Sequence, residues 1–197
     1  AALQDTPRAA VLRTGFDAAE RVYFLTIVLA QKFATAGDLD RQRAMLESAS
    51  ECLTLPRHKQ VMWATLSRAA VRASDAQAAH DWLSQCNPRS DELESDSSYR
   101  MAAALVATAR HDFPGVLGAV GAGPNDVPIH DAMDDACAVL RANAHERMGN
   151  LPAAVAVLSD RMRVGASARM AMENSVRSMS YLGVCPQSFA MATQQHT

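Results

Sequence analysis

The stretch from Ala144 to Leu158 reads AHERMGNLPAAVAVL and predicts a helical hairpin. A helix that ends before Gly149 can close in a left-handed turn, because glycine adopts positive φ angles without steric strain. Asn150 is a preferred cap for the next helix, and Pro152 suits the first turn of that helix, where its missing N–H is not needed. The stretch therefore predicts two antiparallel helices joined by a tight turn.

Similar turns recur along the chain at a nearly constant spacing. Each pairs a turn residue with a capping Asp or Asn, at Gly37-Asp38, Ser74-Asp75, His111-Asp112 and Gly149-Asn150. Successive turns are 37, 37 and 38 residues apart. A fixed period in this range is typical of stacked helical pairs.

Side chains at equivalent positions support this register. Small residues, which let helices cross closely, stand seven positions before each turn at Ala30, Ser67, Ala104 and Ala142. Apolar residues stand nine positions after the start of each turn at Leu46, Leu83, Val120 and Leu158. Prolines, which cannot continue a helix, follow the second helices at Pro56, Pro88 and Pro124.

This pattern resembles the tetratricopeptide repeat, a family of slightly shorter helical pairs. The match is best in the fourth unit, at Gly149, Ala154 and Leu158, and in the second, at Trp63, Ala79 and Leu83. The first and third units are degenerate, with Gln42 and Val116 at the small position. The resemblance covers roughly Asp17 to Met162. It implies an all-α, right-handed α-solenoid of about four antiparallel helix pairs.

The same reading divides the chain into four parts. We expect a leading helix or the remnant of an earlier repeat over 1–16, four helical hairpins over 17–162, a capping helix over 163–185 and a flexible tail over 186–197. The capping helix is predicted from one apolar face formed by Ala168, Met172, Val176, Met179 and Leu182. The polar connector over 87–98 is expected to be a solvated loop.

Composition excludes several classes of function. A 49% hydrophobic fraction with 20% charged residues is typical of a globular helical chain. The net charge of −2 gives no field that would recruit nucleic acid. The apolar run from Val22 to Ala30 is too short to span a bilayer, so no membrane insertion is expected.

Residues suited to catalysis or metal binding are few. Cys52, Cys86, Cys137 and Cys185 are scattered without a CxxC pair, which favours buried thiols in a reducing compartment, and we expect a cytoplasmic location. His130, Asp134 and Cys137 share one helical face, but a fourth zinc ligand is missing. We therefore expect neither a metal nor a cofactor. No nucleophile turn accompanies any of the six histidines, and an enzyme domain is the disfavoured reading.

Binding is better supported. In a stack of this type the first helices line a concave groove, and the register places on their inner stripe Gln31, Arg68, Arg72, Met101, Leu105, Asn143 and Arg147. The pairs Arg68/Arg72 and Asn143/Arg147 project from adjacent turns and resemble the basic and Asn residues with which some tetratricopeptide domains hold a C-terminal carboxylate. The alternative is that these arginines pair with nearby acids on a solvated face.

These observations predict a non-catalytic scaffold or adaptor. We expect it to bind, in its groove, a peptide segment with acidic or C-terminal carboxylate groups and apolar groups. The alternatives are a chaperone for a secreted or assembling partner and the ligand-sensing region of a larger regulator. Five methionines fall from Met162 onward, and the last helix offers a surface for homo-oligomerisation.

Overall fold

The structure is a computed structural model that describes residues 18–53, 55–87, 93–123, 126, 129–184 and 186–194. These ranges contain only helices and no strand, which confirms the all-α class. None of the helices is long and apolar enough to cross a membrane. They are α1 (Ala18–Thr35), α2 (Leu39–Cys52), α3 (Pro56–Arg72), α4 (Ala76–Ser84), α5 (Leu93–Ala109), α6 (Phe113–Val120), α7 (Asp131–Arg147), α8 (Leu151–Met162), α9 (Ala166–Ser178) and α10 (Gln187–Gln194), with a 3-10 turn at Ser180–Leu182.

The four predicted turns share one backbone geometry. Each contains a left-handed residue with φ between 59° and 79°, at Gly37, Ser74, His111 and Gly149. The N–H of the following residue donates to the carbonyl oxygen five residues earlier, with N–O distances of 2.8 to 2.9 Å in all four turns. This bond belongs to a Schellman motif, in which a left-handed residue ends the first helix and reverses the chain.

The same turns also begin the next helices. A side-chain oxygen of each capping residue accepts a hydrogen bond from the backbone N–H three residues later, at 3.0 to 3.2 Å, in Asp38, Asp75, Asp112 and Asn150. The caps satisfy N–H groups that the first helical turn leaves without partners. The predicted turns and caps are therefore confirmed at all four positions.

The helices pack in two ways. Each of α1 to α8 contacts the next helix in the chain, and each odd-numbered helix also contacts the next odd-numbered one, from α1 to α9. The four small residues predicted at helix crossings are at most 2% exposed. Ser67 is one of them, and its hydroxyl donates to the carbonyl oxygen of Ala79 at 2.7 Å. Small side chains thus allow the close approach that the register predicts.

The polar connector differs from its prediction. Helix α5 begins at Leu93, inside the range expected to be a solvated loop, and Ser95, Ser97 and Ser98 are buried. The Ser97 hydroxyl accepts a hydrogen bond from the backbone N–H of His130 at 2.8 Å. The Ser95 hydroxyl donates to the carbonyl oxygen of Arg57 at 3.4 Å, whereas the Ser98 hydroxyl has no hydrogen-bond partner among the described residues. A short hydroxyl that finds a partner can be buried at little cost, which accounts for the burial of Ser95 and Ser97.

The C-terminal region also differs. The helix in the range expected for the capping helix ends at Ser178, and residues 187–194, within the range expected to be a flexible tail, form α10. This helix packs on α8 and buries Ser188 and Ala192. The leading helix expected over 1–16 lies outside the described residues, as do residues 195–197.

Candidate functional site

Five of the seven predicted partner-binding residues line one cavity. It has a volume of about 230 Å³, and its walls include Gln31, Arg68, Arg72, Met101 and Leu105. These side chains come from α1, α3 and α5, and α3 contacts both of the other two helices. The predicted stripe is therefore one surface over this part of the fold, with Met101 and Leu105 buried in it and Gln31 exposed.

Arg68 is a half-buried polar residue of the cavity. Its Nη2 donates to the Thr65 hydroxyl at 2.8 Å, while its Nε is shielded from solvent and has no hydrogen-bond partner among the described residues. Burial lowers the pKa of the Arg68 guanidinium, and the positive charge of Arg72 lowers that pKa further. The site thus holds a partly desolvated cation beside a second cation.

Arg72 faces an aromatic ring instead of an acid. Its Cζ lies 5.8 Å from the ring centroid of Tyr181, within the range of a cation–π contact. Within the described ranges, no carboxylate oxygen lies within 4 Å of Arg68 or Arg72. The alternative that these two arginines pair with neighbouring acids therefore does not hold for the acids in these ranges.

The other predicted pair lies elsewhere. Asn143 is only 4% exposed on α7, and Arg147 donates from Nη2 to the carbonyl oxygen of Gly183 at 3.1 Å. Neither residue lines the cavity around Arg68. The four residues therefore do not converge on one carboxylate, and the helix that carries Asn143, α7, packs against α9.

Sequence reasoning missed the segment that closes the cavity. Ser178, Met179 and Tyr181 form a wall of the cavity opposite α1. We call residues 179–184 and 186–188 the C-terminal strap. Besides the bond from Arg147, the carboxylate of Glu146 accepts hydrogen bonds from the backbone N–H groups of Gln187 and Ser188, both at 2.9 Å. Met179 was expected on an apolar helical face, but no local signal indicated that the strap would cross the stripe.

The residues considered for zinc are engaged in other contacts. Cys137 is fully buried with its sulfur 3.9 Å from that of Met101, and burial raises its thiol pKa to about 12. Asp134 forms an ion pair with Arg161 at 3.0 Å. The described residues contain no group of three or more His, Cys, Asp or Glu side chains arranged to hold a metal ion.

Comparison with known proteins adds no relative. No family model matches the chain, and neither the curated proteins nor the solved structures contain a match. The resemblance to tetratricopeptide repeats therefore rests on the spacing of the turns and on the residues that carry it.

Proposed function

We propose that this chain is a non-catalytic protein-interaction scaffold. Its helices would form a right-handed solenoid of about four antiparallel pairs, similar to a tetratricopeptide domain. The shared turn geometry and the contacts between successive odd-numbered helices support this arrangement. The free thiols of Cys86 and Cys137 are buried, which supports a reducing compartment such as the cytoplasm.

The proposal rests on the contacts that α3 and α7 make with the C-terminal strap. Arg147 binds the Gly183 carbonyl oxygen, Glu146 binds two backbone N–H groups, and Arg72 contacts the Tyr181 ring. These contacts use both backbone and side-chain groups, as the binding of a partner segment would. The ends of α3 and α7 thus already hold a segment of the chain itself, which includes a 3-10 turn and the first residues of α10.

The part of the surface beyond the strap has the chemistry for a partner. Gln31 is exposed, and Arg68 and Arg72 offer guanidinium groups that no described carboxylate neutralises. Apolar side chains lie in the same cavity wall, where Met101 and Leu105 are buried beside these groups. A partner segment with a terminal carboxylate or acidic side chains and apolar residues would complement both features.

Selection from a library of peptides with free C-termini tests this proposal. We expect the full chain to enrich peptides with apolar and acidic C-terminal residues, and amidation of the carboxylate to weaken them. Arg72→Gln should reduce the affinity of a selected peptide about tenfold, since it removes one charge-assisted contact. Arg163→Gln is the matched control, because Arg163 is highly exposed on the other side of the turn after α8. Equal affinity in wild type and Arg72→Gln would exclude this surface.

A further inference from the structure

The arginines of the described chain differ in how their charge is compensated. Arg141 is buried, but its Nε and Nη2 both donate to the Val120 carbonyl oxygen, at 2.9 and 2.8 Å. At least seven others have a carboxylate partner within 4 Å, and among these pairs are Arg43–Glu47, Arg57–Glu20, Arg100–Asp96 and Arg161–Asp135. Arg68 has neither form of compensation at Nε, although that atom is out of contact with solvent. The Nε–H of Arg68 is thus a buried donor without an acceptor among the described residues, while Nη2 donates to Thr65.

Such an arrangement is unfavourable without an anion. A cation removed from water loses its hydration, and a second cation on the next helical turn adds repulsion. Both effects are seen in the lowered pKa of Arg68. An oxyanion placed between the two guanidinium groups would reverse both, because it supplies acceptors to Arg68 and neutralises its repulsion with Arg72.

The remaining walls define what else the ligand must carry. Gln42 is buried, and its Oε1 has no hydrogen-bond partner among the described residues, so it can accept from a donor in the cavity. Met101 and Leu105 supply an apolar wall. The hydroxyl protons of Thr65 and Ser178 are already donated to the carbonyl oxygens of Val61 and Ser175. The two guanidinium groups are therefore the charged donors for an anion, beside the amide of Gln31 and the hydroxyl of Tyr181.

The size of the cavity limits the ligand to a small molecule. The volume of about 230 Å³ exceeds the roughly 150 Å³ that holds a benzene ring, but it is smaller than the roughly 300 Å³ of the smallest drug-sized sites. A second cavity of about 140 Å³ shares Gln31, Gln42, Thr65 and Arg68 with the first. The planar fork of an arginine matches the two oxygens of a carboxylate.

We propose that this cavity binds a small, freely diffusing carboxylate with an apolar body of about one ring. Its carboxylate lies between Arg68 and Arg72, and its apolar body lies against Met101 and Leu105. A hydroxyl or amine on that body donates to Gln42. The C-terminal strap closes the site through Tyr181. This site goes beyond the proposed scaffold function, because it requires no partner protein.

The test is calorimetric titration of the full chain with benzoate, 4-hydroxybenzoate, hexanoate and leucine. At least one of these carboxylates is expected to bind, and its neutral amide, such as benzamide for benzoate, to bind at least tenfold more weakly. Absence of binding by all four, or equal binding of acid and amide, would overturn the proposal. Binding of inorganic phosphate alone would also overturn it, as would binding of the C-terminal peptide acetyl-Ala-Ala-Leu without any of the four.

Two variants distinguish a ligand-binding role of Arg68 from a purely structural one. Arg68→Met should weaken the carboxylate about a hundredfold while leaving the thermal midpoint of the unliganded protein equal or higher, because it removes an uncompensated cation. Arg72→Met should weaken binding less, and Arg163→Gln not at all. A fall in the midpoint of Arg68→Met together with unchanged affinity would assign Arg68 to the fold alone. Failure of the peptide selection described above leaves this result unaffected, so the two proposals fail separately.

Discussion

The guanidinium carbon of Arg72 lies 5.8 Å from the ring centroid of Tyr181, which joins the end of α3 to the C-terminal strap. The two residues are more than 100 positions apart in the chain. Arg72, which was predicted to bind a partner, therefore contacts the strap of its own chain. Tyr181 and Arg68 line the same cavity, so the strap forms part of its wall.

Tyr181→Ala should loosen this anchor. Loss of the cation–π contact and of ring burial is expected to lower the free energy of unfolding by about 1 kcal/mol. Hydrogen exchange at the amides of the strap should accelerate, and this rate is the measurement. Tyr181→Phe is the control, because it keeps the ring over Arg72. Unchanged exchange in Tyr181→Ala would mean that other contacts hold the strap.

Glu146→Gln should weaken the docking of α10 in a pH-dependent way. Burial alone would raise the Glu146 pKa, but hydrogen bonds from the backbone N–H groups of Ser188 and Gln187 outweigh burial and lower it. A carboxyl whose folded pKa is lowered stabilises the fold above its unfolded pKa, near 4.3, and loses that contribution as the pH falls through the folded value. We therefore expect the variant to be less stable by about 1 kcal/mol at pH 7 and by progressively less below about pH 4.

Urea unfolding of wild type and Glu146→Gln between pH 3 and pH 7 measures this difference. Glu51→Gln serves as the control for loss of one negative charge, because Glu51 is exposed on α2. A stability difference that stays constant over the whole range would show that the ionised carboxylate of Glu146 does not hold α10.

Ser74→Gly should stabilise the protein. Ser74 has a φ of 60°, where a side chain is strained and glycine is not. The free energy of unfolding is expected to rise by about 0.5–1 kcal/mol, in contrast to a fall of about 1 kcal/mol for Ser50→Gly inside α2. Thermal unfolding of the two variants measures this difference. A loss of stability in Ser74→Gly would show that contacts of the Ser74 side chain stabilise the fold by more than the strain at its positive φ costs.

The features of the fold that were predicted correctly depend mostly on residues that are close together in the sequence. The four turns are set by a left-handed residue and a cap within a few positions, so they could be placed from the sequence. The start of α10 could not, because its cap, Glu146, lies 41 residues before Gln187. The burial of Asn143 was missed for a similar reason, since α9 packs against α7 only in the tertiary structure. Contacts between residues that are far apart in the sequence produce no periodic pattern around either residue.

Arg141→Met should destabilise the protein, in contrast to the effect expected for Arg68→Met. Arg141 is only 1% exposed and donates two hydrogen bonds to the carbonyl oxygen of Val120, the last residue of α6. Methionine would fill most of the volume but leave that carbonyl oxygen without these donors.

The expected loss is about 2–3 kcal/mol, since hydrogen bonds from a charged donor are strong and a buried acceptor is costly to leave unpaired. Urea unfolding measures it, with Arg163→Met as an exposed control that should change stability by less than about 0.5 kcal/mol. An Arg141→Met variant as stable as wild type would mean that water or another group replaces the guanidinium at Val120. The two buried arginines would then no longer differ in role, and the assignment of Arg68 to a ligand would lose its internal comparison.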